Sequence, residues 1–178
     1  GINGSYAVDP QKGAVVMTLT TQGDVPIHYT LDGSEPTAAS PRYTGPVEIG
    51  KSARFRATAL REGGENASYS REFAFSKSTG RPAVLNTKPN DSYTFEGASL
   101  LVDGYHSRPV FTSGAWLGYL DEPLDVTIDM GGEQSYRSVE LETLAEKGDW
   151  IFPPSSVTVW VSDNGTDFTE VASVAVHE

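Results

Sequence analysis

The acidic side chains of residues 121–129 are the densest group of potentially reactive residues in the chain. Asp121, Glu122, Asp125 and Asp129 carry the hard oxygen ligands that Ca²⁺ and Mg²⁺ select. Their spacing is not that of an EF-hand loop. Asp125 and Asp129 lie an even number of residues apart, which puts both on one face of a strand. The pattern therefore favours a solvated polar face, and no metal ligand is assigned from it.

Nucleophilic and general-base residues do not form a recognisable catalytic set. His28, His106 and His177 are scattered along the chain, and no Gly-x-Ser-x-Gly elbow occurs. The chain has no cysteine, which excludes a thiolate metal site, a Cys nucleophile and a disulfide framework. No catalytic residue is assigned from the sequence.

Charge is distributed unevenly along the chain. The 178 residues include 13 Lys and Arg against 24 Asp and Glu, for a net charge of −11, and the excess of acid lies beyond residue 80. Nucleic acids and anionic membranes select Lys/Arg surfaces, so neither is expected as a partner. No apolar run approaches the roughly 20 residues that span a bilayer, so membrane insertion is not expected. A change of charge between the halves indicates two domains.

Hydrophobic residues recur at every second position through the first 77 residues, which is the period of a strand with one buried face. The alternation occurs at Val15/Met17/Leu19, Ile27/Tyr29/Leu31 and Ala53/Phe55/Ala57/Ala59. Asp32-Gly33 favours a tight turn between strands, and no segment shows a helical period. The sequence predicts a small Ig-like antiparallel sandwich over residues 1–77.

The second half has the same strand period. It predicts strands at residues 124–130, 139–142, 157–161 and 168–171, with Asn164-Gly165 as a hairpin signal before the last. The polar Gly/Pro segment SKSTGRP separates the halves, and we place the linker at residues 78–83. The chain is therefore predicted to be all-β, with a second sandwich or jelly roll over residues 84–178.

Two families share motifs with this sequence. The run YTLDGSEPT at residues 29–37, followed by SPRY and PVEI, resembles the chitobiase/β-hexosaminidase C-terminal domain over about residues 3–76. The pieces SLLVDG, GAWLGY, VTIDMG, WIFPP and VTVWVSDNG resemble, in that order, a factor V/VIII type C (discoidin-like) domain. Discoidin-like domains usually continue for several more strands, so this resemblance implies that the second sandwich is incomplete at Glu178.

The two resemblances in this order are similar to the C-terminal region of a family 20 glycoside hydrolase, a β-N-acetylhexosaminidase of Bacteroidetes type. They imply a non-catalytic accessory region of a periplasmic, secreted or cell-surface bacterial enzyme, whose partner is the parent catalytic domain. The family uses an adjacent Asp-Glu pair, and this chain contains Asp121-Glu122. Catalysis there needs a (β/α)₈ barrel of about 250 residues, so we interpret this pair as part of a turn.

The resemblance to a carbohydrate-binding fold also implies candidate sugar contacts. Aromatic rings stack on the apolar face of a sugar while polar side chains bind its hydroxyls. The loops of the second domain supply Tyr105, His106, Arg108, Phe111 and Trp150. The alternative function is thus a module that tethers the enzyme to galactose- or N-acetylhexosamine-containing glycans, although Trp150 fits a domain-interface anchor equally well.

Two further expectations follow from the discoidin-like resemblance. A structural calcium beside Asp103 is one, although the acidic partner usual near that domain's C-terminus has no counterpart here, and a turn role for Asp103 is favoured. The other is self-association, because a missing strand would expose a sheet edge that can pair with another copy.

Overall fold

Strands and single-turn 3₁₀ helices make up the regular structure of the chain. The computed structural model describes residues 1–177 and divides into two compact units, residues 1–128 and 129–178. Within the described residues the longest helix is a five-residue 3₁₀ segment, Gly97–Leu101. The predicted all-β class is confirmed. The domain boundaries proposed from the sequence stay a prediction.

Six strands of the first unit form two three-stranded antiparallel sheets. Sheet one has the order β1-β2-β4 and sheet two the order β3-β5-β6. The strands are β1 (Ile2–Asp9), β2 (Ala14–Thr21), β3 (Ile27–Thr30), β4 (Val47–Ile49), β5 (Ala53–Ala59) and β6 (Ala67–Phe73). Strands that follow each other in the chain, such as β2 and β3, lie in different sheets, which is the arrangement of a sandwich and not of a meander.

Most of the alternating residues that the sequence singled out lie in the core of the sandwich, but Leu31 follows the end of β3 and is exposed. Met17 on β2 and Phe55 on β5 are almost completely buried, and between the sheets they join Ile49 and Phe73 in one cluster. The intervening Thr18 and the other even-numbered residues of β2 are mostly more exposed. The period-2 pattern is therefore the direct cause of the fold, because only one face of each strand can leave water.

One glycine marks a close approach across the sandwich. A Cβ atom on Gly4 of β1 would lie 2.3 Å from the Tyr69 ring of β6. Only hydrogen fits under the ring, so Gly4 lets the edge strands of the two sheets come together.

The rest of the first unit extends from the sandwich through residue 128. Its one strand pair is β7 (Ala83–Leu85) with β8 (Val126–Ile128), and its 3₁₀ helices are Asp91–Tyr93, Gly97–Leu101 and Phe111–Ser113. The linker segment is packed: Thr79 is buried, and a Cβ on Gly80 would lie 2.6 Å from the Gly13 carbonyl oxygen.

The second unit is built around one hairpin of β9 (Ser156–Val161) and β10 (Thr169–Ala175). The hairpin predicted from Asn164-Gly165 is confirmed, but its connection is longer than two residues. The Asn164 Oδ1 accepts from the backbone N–H groups of both Thr166 and Asp167 and so shapes a wider loop. None of residues 129–177 is fully buried.

One predicted strand is wrong. Residues 139–142 have no regular structure, and Val139 and Leu141 are exposed. Their alternation is that of a strand, but no neighbouring strand pairs with this segment in the part of the chain that the structure describes. A strand is stabilised by its ladder, so the pattern alone does not produce one.

The sandwich core gives the first prediction. Phe55→Ala removes a buried ring and should lower the free energy of unfolding by about 4 kcal/mol. Val84→Ala on β7 is the control, because Val84 is 61% exposed and its truncation should change stability by less than about 0.5 kcal/mol. Urea unfolding followed by circular dichroism measures both, and equal losses would contradict this assignment of the core.

Candidate functional site

The YTLDGSEPT motif builds a hydrogen-bonded turn after β3. The Asp32 carboxylate accepts from the backbone N–H of Ser34 at 3.0 Å, and the Ser34 carbonyl accepts from the Thr30 hydroxyl at 2.7 Å. Gly33 has φ +83°, which a residue with a side chain adopts only with strain. These residue types are therefore required by the turn itself, and their polar groups are satisfied locally.

The same motif fixes the two arginines of β5. Arg56 pairs with Glu35 of the motif, whose carboxylate also accepts from the Thr58 hydroxyl at 3.4 Å. Arg54 lies 3.7 Å from the carboxylate of Glu72 on β6. Both arginines of β5 therefore pair with carboxylates of the sandwich.

A segment from outside the sandwich closes the side between β1 and β6. Tyr105 packs edge-on against Tyr6 of β1, with ring centroids 5.5 Å apart, and lies 6.3 Å from the ring of Phe73 on β6. The Arg71 guanidinium lies 5.5 Å from the Tyr105 ring and 4.8 Å from the Tyr69 ring, within cation–π range of both. Tyr105, predicted from the sequence as a sugar contact, here covers the core.

Backbone hydrogen bonds fix the same segment, residues 99–105. The Val8 N–H donates to the Ser99 hydroxyl at 3.1 Å, and the Ala74 N–H donates to the Gly104 carbonyl at 2.9 Å. The Gly80 N–H donates to the Val102 carbonyl at 2.8 Å. Because these bonds reach both β1 and the chain just after β6, the segment belongs to the same packed unit as the sandwich.

Asp103 lies at the centre of this closure and is 5% exposed. Its carboxylate accepts from the Tyr105 N–H at 2.9 Å, which is a turn-capping role. Burial, followed by the negative charge of Asp103, raises the pKa of Tyr6 well above its ordinary value. Among residues 1–177, no group of three or more His, Asp or Glu side chains is placed to hold a metal.

Beside Tyr105 there is a shallow cleft of about 260 Å³. Glu72, Ala74, Tyr105 and His106 line it. The Glu72 carboxylate can accept hydrogen bonds, the His106 imidazole can donate or accept them, and the Tyr105 ring offers apolar area. The cleft is thus chemically suited to a small polyhydroxy compound.

Arg108 and Phe111 have structural contacts of their own. The backbone carbonyl of Arg108 accepts from the indole N–H of Trp116 at 3.1 Å. The Phe111 ring packs 6.3 Å from that of Tyr93 in a small aromatic cluster. Only Tyr105 and His106, of the predicted sugar contacts, line the same cleft.

Trp150 lies in the second unit, at the tip of a tight loop. It is 85% exposed and has φ +59°, an unusual backbone conformation for a bulky residue. Reciprocal hydrogen bonds between Glu146 and Ile151, at 3.0 and 3.1 Å, close the loop. Phe152 packs edge-on against the indole at 6.4 Å. The loop holds a large aromatic face in water, the arrangement that ring stacking needs.

The acidic cluster of residues 121–129 is engaged locally. The Glu122 carboxylate accepts from the Lys88 backbone N–H at 3.2 Å, and that of Asp125 from the Asn86 side chain at 3.0 Å. Asp121 has φ +62°, in agreement with the predicted turn.

One family model matches the sandwich. Residues 4–71 match the chitobiase/beta-hexosaminidase C-terminal domain. The match spans β1 to β6 and includes the YTLDGSEPT turn, as the sequence resemblance predicted. A search of curated proteins found no match. Among residues 1–177, no helix has the length and apolarity needed to cross a membrane.

The match to the family model thus ends before residues 99–105, the segment that covers the core of the sandwich. Sequence reasoning missed Glu72 of the cleft and Arg71 of the closure. Arg71 is half-buried on the face of β6 that carries Tyr69 and Phe73, whereas Glu72 is exposed on the other face, and the alternation along the strand does not indicate either role. It also missed Phe152 beside Trp150, where the aromatic pair within WIFPP was the available signal.

The closure gives the second prediction. Tyr105→Ala removes a ring that contacts both Tyr6 and Phe73, so we expect the sandwich to lose about 2 kcal/mol of stability. His106→Ala changes an exposed neighbour and should stay within about 0.5 kcal/mol of the wild type. Urea unfolding of both variants measures the difference. An unchanged midpoint for Tyr105→Ala would mean that the segment is not part of the folded core.

Proposed function

We propose that this chain is a non-catalytic accessory region of a secreted or periplasmic bacterial β-N-acetylhexosaminidase. In this role it stabilises and positions the catalytic domain of the parent enzyme. The proposal rests on the match of residues 4–71 to the C-terminal domain of chitobiases and β-hexosaminidases.

The use of the polar residues supports this role. In the hexosaminidase C-terminal domain the motif carboxylates Asp32 and Glu35 cap a turn and pair with Arg56, and these are contacts that maintain the fold. The Asp121-Glu122 pair lies in a turn, where Glu122 caps the Lys88 backbone N–H.

The accessory role gives the third prediction. Removing this chain from the parent enzyme should lower the melting temperature of the catalytic domain by about 5 °C, because a docked domain contributes interface energy. Differential scanning calorimetry measures the shift. At low temperature both the truncated and the intact enzyme should still hydrolyse a chromogenic N-acetylglucosaminide.

This chain alone is the control, and it should release no chromophore. An unchanged melting temperature would contradict the stabilising role, whereas turnover by the isolated chain would make it an enzyme in its own right.

The alternative function is a carbohydrate-binding module, and the observation that favours it is Trp150. A fully presented indole beside Phe152, on a loop closed by its own hydrogen bonds, is preorganised for stacking on a pyranose. The glycans would contain galactose or N-acetylhexosamine. The Tyr105–His106 cleft is a second, smaller candidate.

Calorimetric titration gives the fourth prediction. If the module binds glycans, titration with galactose, N-acetylglucosamine or N-acetyllactosamine should produce saturable heat. The dissociation constant should be in the millimolar range, which corresponds to a binding free energy of roughly −4 kcal/mol. Trp150→Ala should abolish the signal, and Phe168→Ala, an exposed aromatic elsewhere in the second unit, should retain it. Binding that survives Trp150→Ala would rule out this loop, and no saturable heat with any of the sugars would leave the accessory role alone.

A further inference from the structure

Strand β9 has a free edge. In the described chain its only strand neighbour is β10. The Val176 N–H donates to the Ser155 carbonyl at 2.9 Å, so the backbone groups of Ser155 point toward β10. Antiparallel hydrogen bonding alternates along a strand, so the N–H and C=O groups of Thr158 and Trp160 point to the opposite edge. Such an edge is a template for another strand.

The two edges of this hairpin differ. In β10 the register shifts between Glu170 and Ala172, and the shift bulges the strand beside a charged side chain. Bulges and charges are the usual protection of sheet edges. Strand β9 has no bulge, glycine, proline or charge, and residues 150–162 contain no charged side chain at all in a chain of net charge −11. The β9 edge is therefore the unprotected one.

An apolar face adjoins the free edge. Val157, Val159 and Val161 of β9 alternate on one face and remain partly exposed. Their β10 partners on the same face include Ala172 and Val174, and Val174 is 62% exposed. A strand added at the β9 edge would extend this face and remove more apolar area from water.

We propose that β9 pairs antiparallel with β9 of a second copy of this chain and forms a four-stranded sheet. The two-fold axis passes beside Val159. In this register Val157 faces Val161 of the second copy, and Thr158 faces Trp160. Equivalent faces therefore coincide, and the outward-pointing backbone groups of Thr158 and Trp160 bond to each other across the axis.

The charge pattern selects a second copy as the occupant. In the proposed register Asp163 lies opposite Ser155 of the second copy, so no like charges meet. Pro154 has no N–H and ends the pairing symmetrically at both ends. An uncharged strand of β-branched residues is what the edge fits, and β9 is itself such a strand.

Analytical ultracentrifugation tests the proposal and is the fifth prediction. The wild-type chain should shift from the monomer mass to twice that mass as concentration rises. Thr158→Pro removes an N–H that points to the free edge. Val159→Lys places one ammonium group of each copy beside the two-fold axis, where the Cα atoms of the two residues 159 would be about 4.5 Å apart, so the like charges repel each other. Both variants should stay monomeric. Val174→Lys is the matched control, since it charges the same face but on β10, and it should still dimerise.

Hydrogen exchange of the wild-type protein keeps the test independent of whether the variants fold. The Thr158 and Trp160 amides should exchange more slowly as dimer forms. A monomer at all concentrations would overturn the proposal, as would growth into fibres, a dimer that survives Thr158→Pro, or loss of dimer in Val174→Lys. Protected Thr158 and Trp160 amides in a monomer would show that another segment of the same chain occupies the edge.

Discussion

The packing of Tyr105 on Tyr6 and Phe73 is the contact on which the first unit depends. A six-stranded sandwich of this size has few residues with which to enclose its core, and the side between β1 and β6 needs a cover. Residues 99–105 supply it, with Val102 and Asp103 buried and backbone bonds to both neighbouring segments. The folded unit, residues 1–128, is consequently larger than the segment 4–71 that matches the family model.

The second unit shows the opposite situation. Its hairpin has the same alternation as the sandwich strands, but no layer of the described chain buries its residues completely. Hydrophobic stabilisation needs a second surface, and a two-stranded ribbon alone is marginal in water. The Trp150 indole therefore stays exposed, and the valines of β9 stay partly exposed.

Local patterns in the sequence predicted much of the first unit. The alternation around Met17 and Phe55 predicted the buried faces, and the YTLDGSEPT motif predicted the turn after β3 and the similarity that the family model finds over residues 4–71. The same reasoning failed at residues 139–142, where the period is right but no ladder forms. It did not predict that Tyr105 covers the core, because an aromatic residue after a Gly turn has the same local signature on a surface and on a core. The sugar contact of Tyr105 stays a prediction.

The amino-acid order by itself determined the all-β class, the strand faces and the hairpin at Asn164, because these depend on neighbours within a few residues. Tertiary structure alone decided that Asp103 caps a buried turn, that Arg71 lies near two tyrosine rings, and that β9 pairs only with β10 among residues 1–177. Those properties depend on which distant segments meet, and that is fixed by burial and backbone pairing across the fold, which periodicity along the chain does not encode.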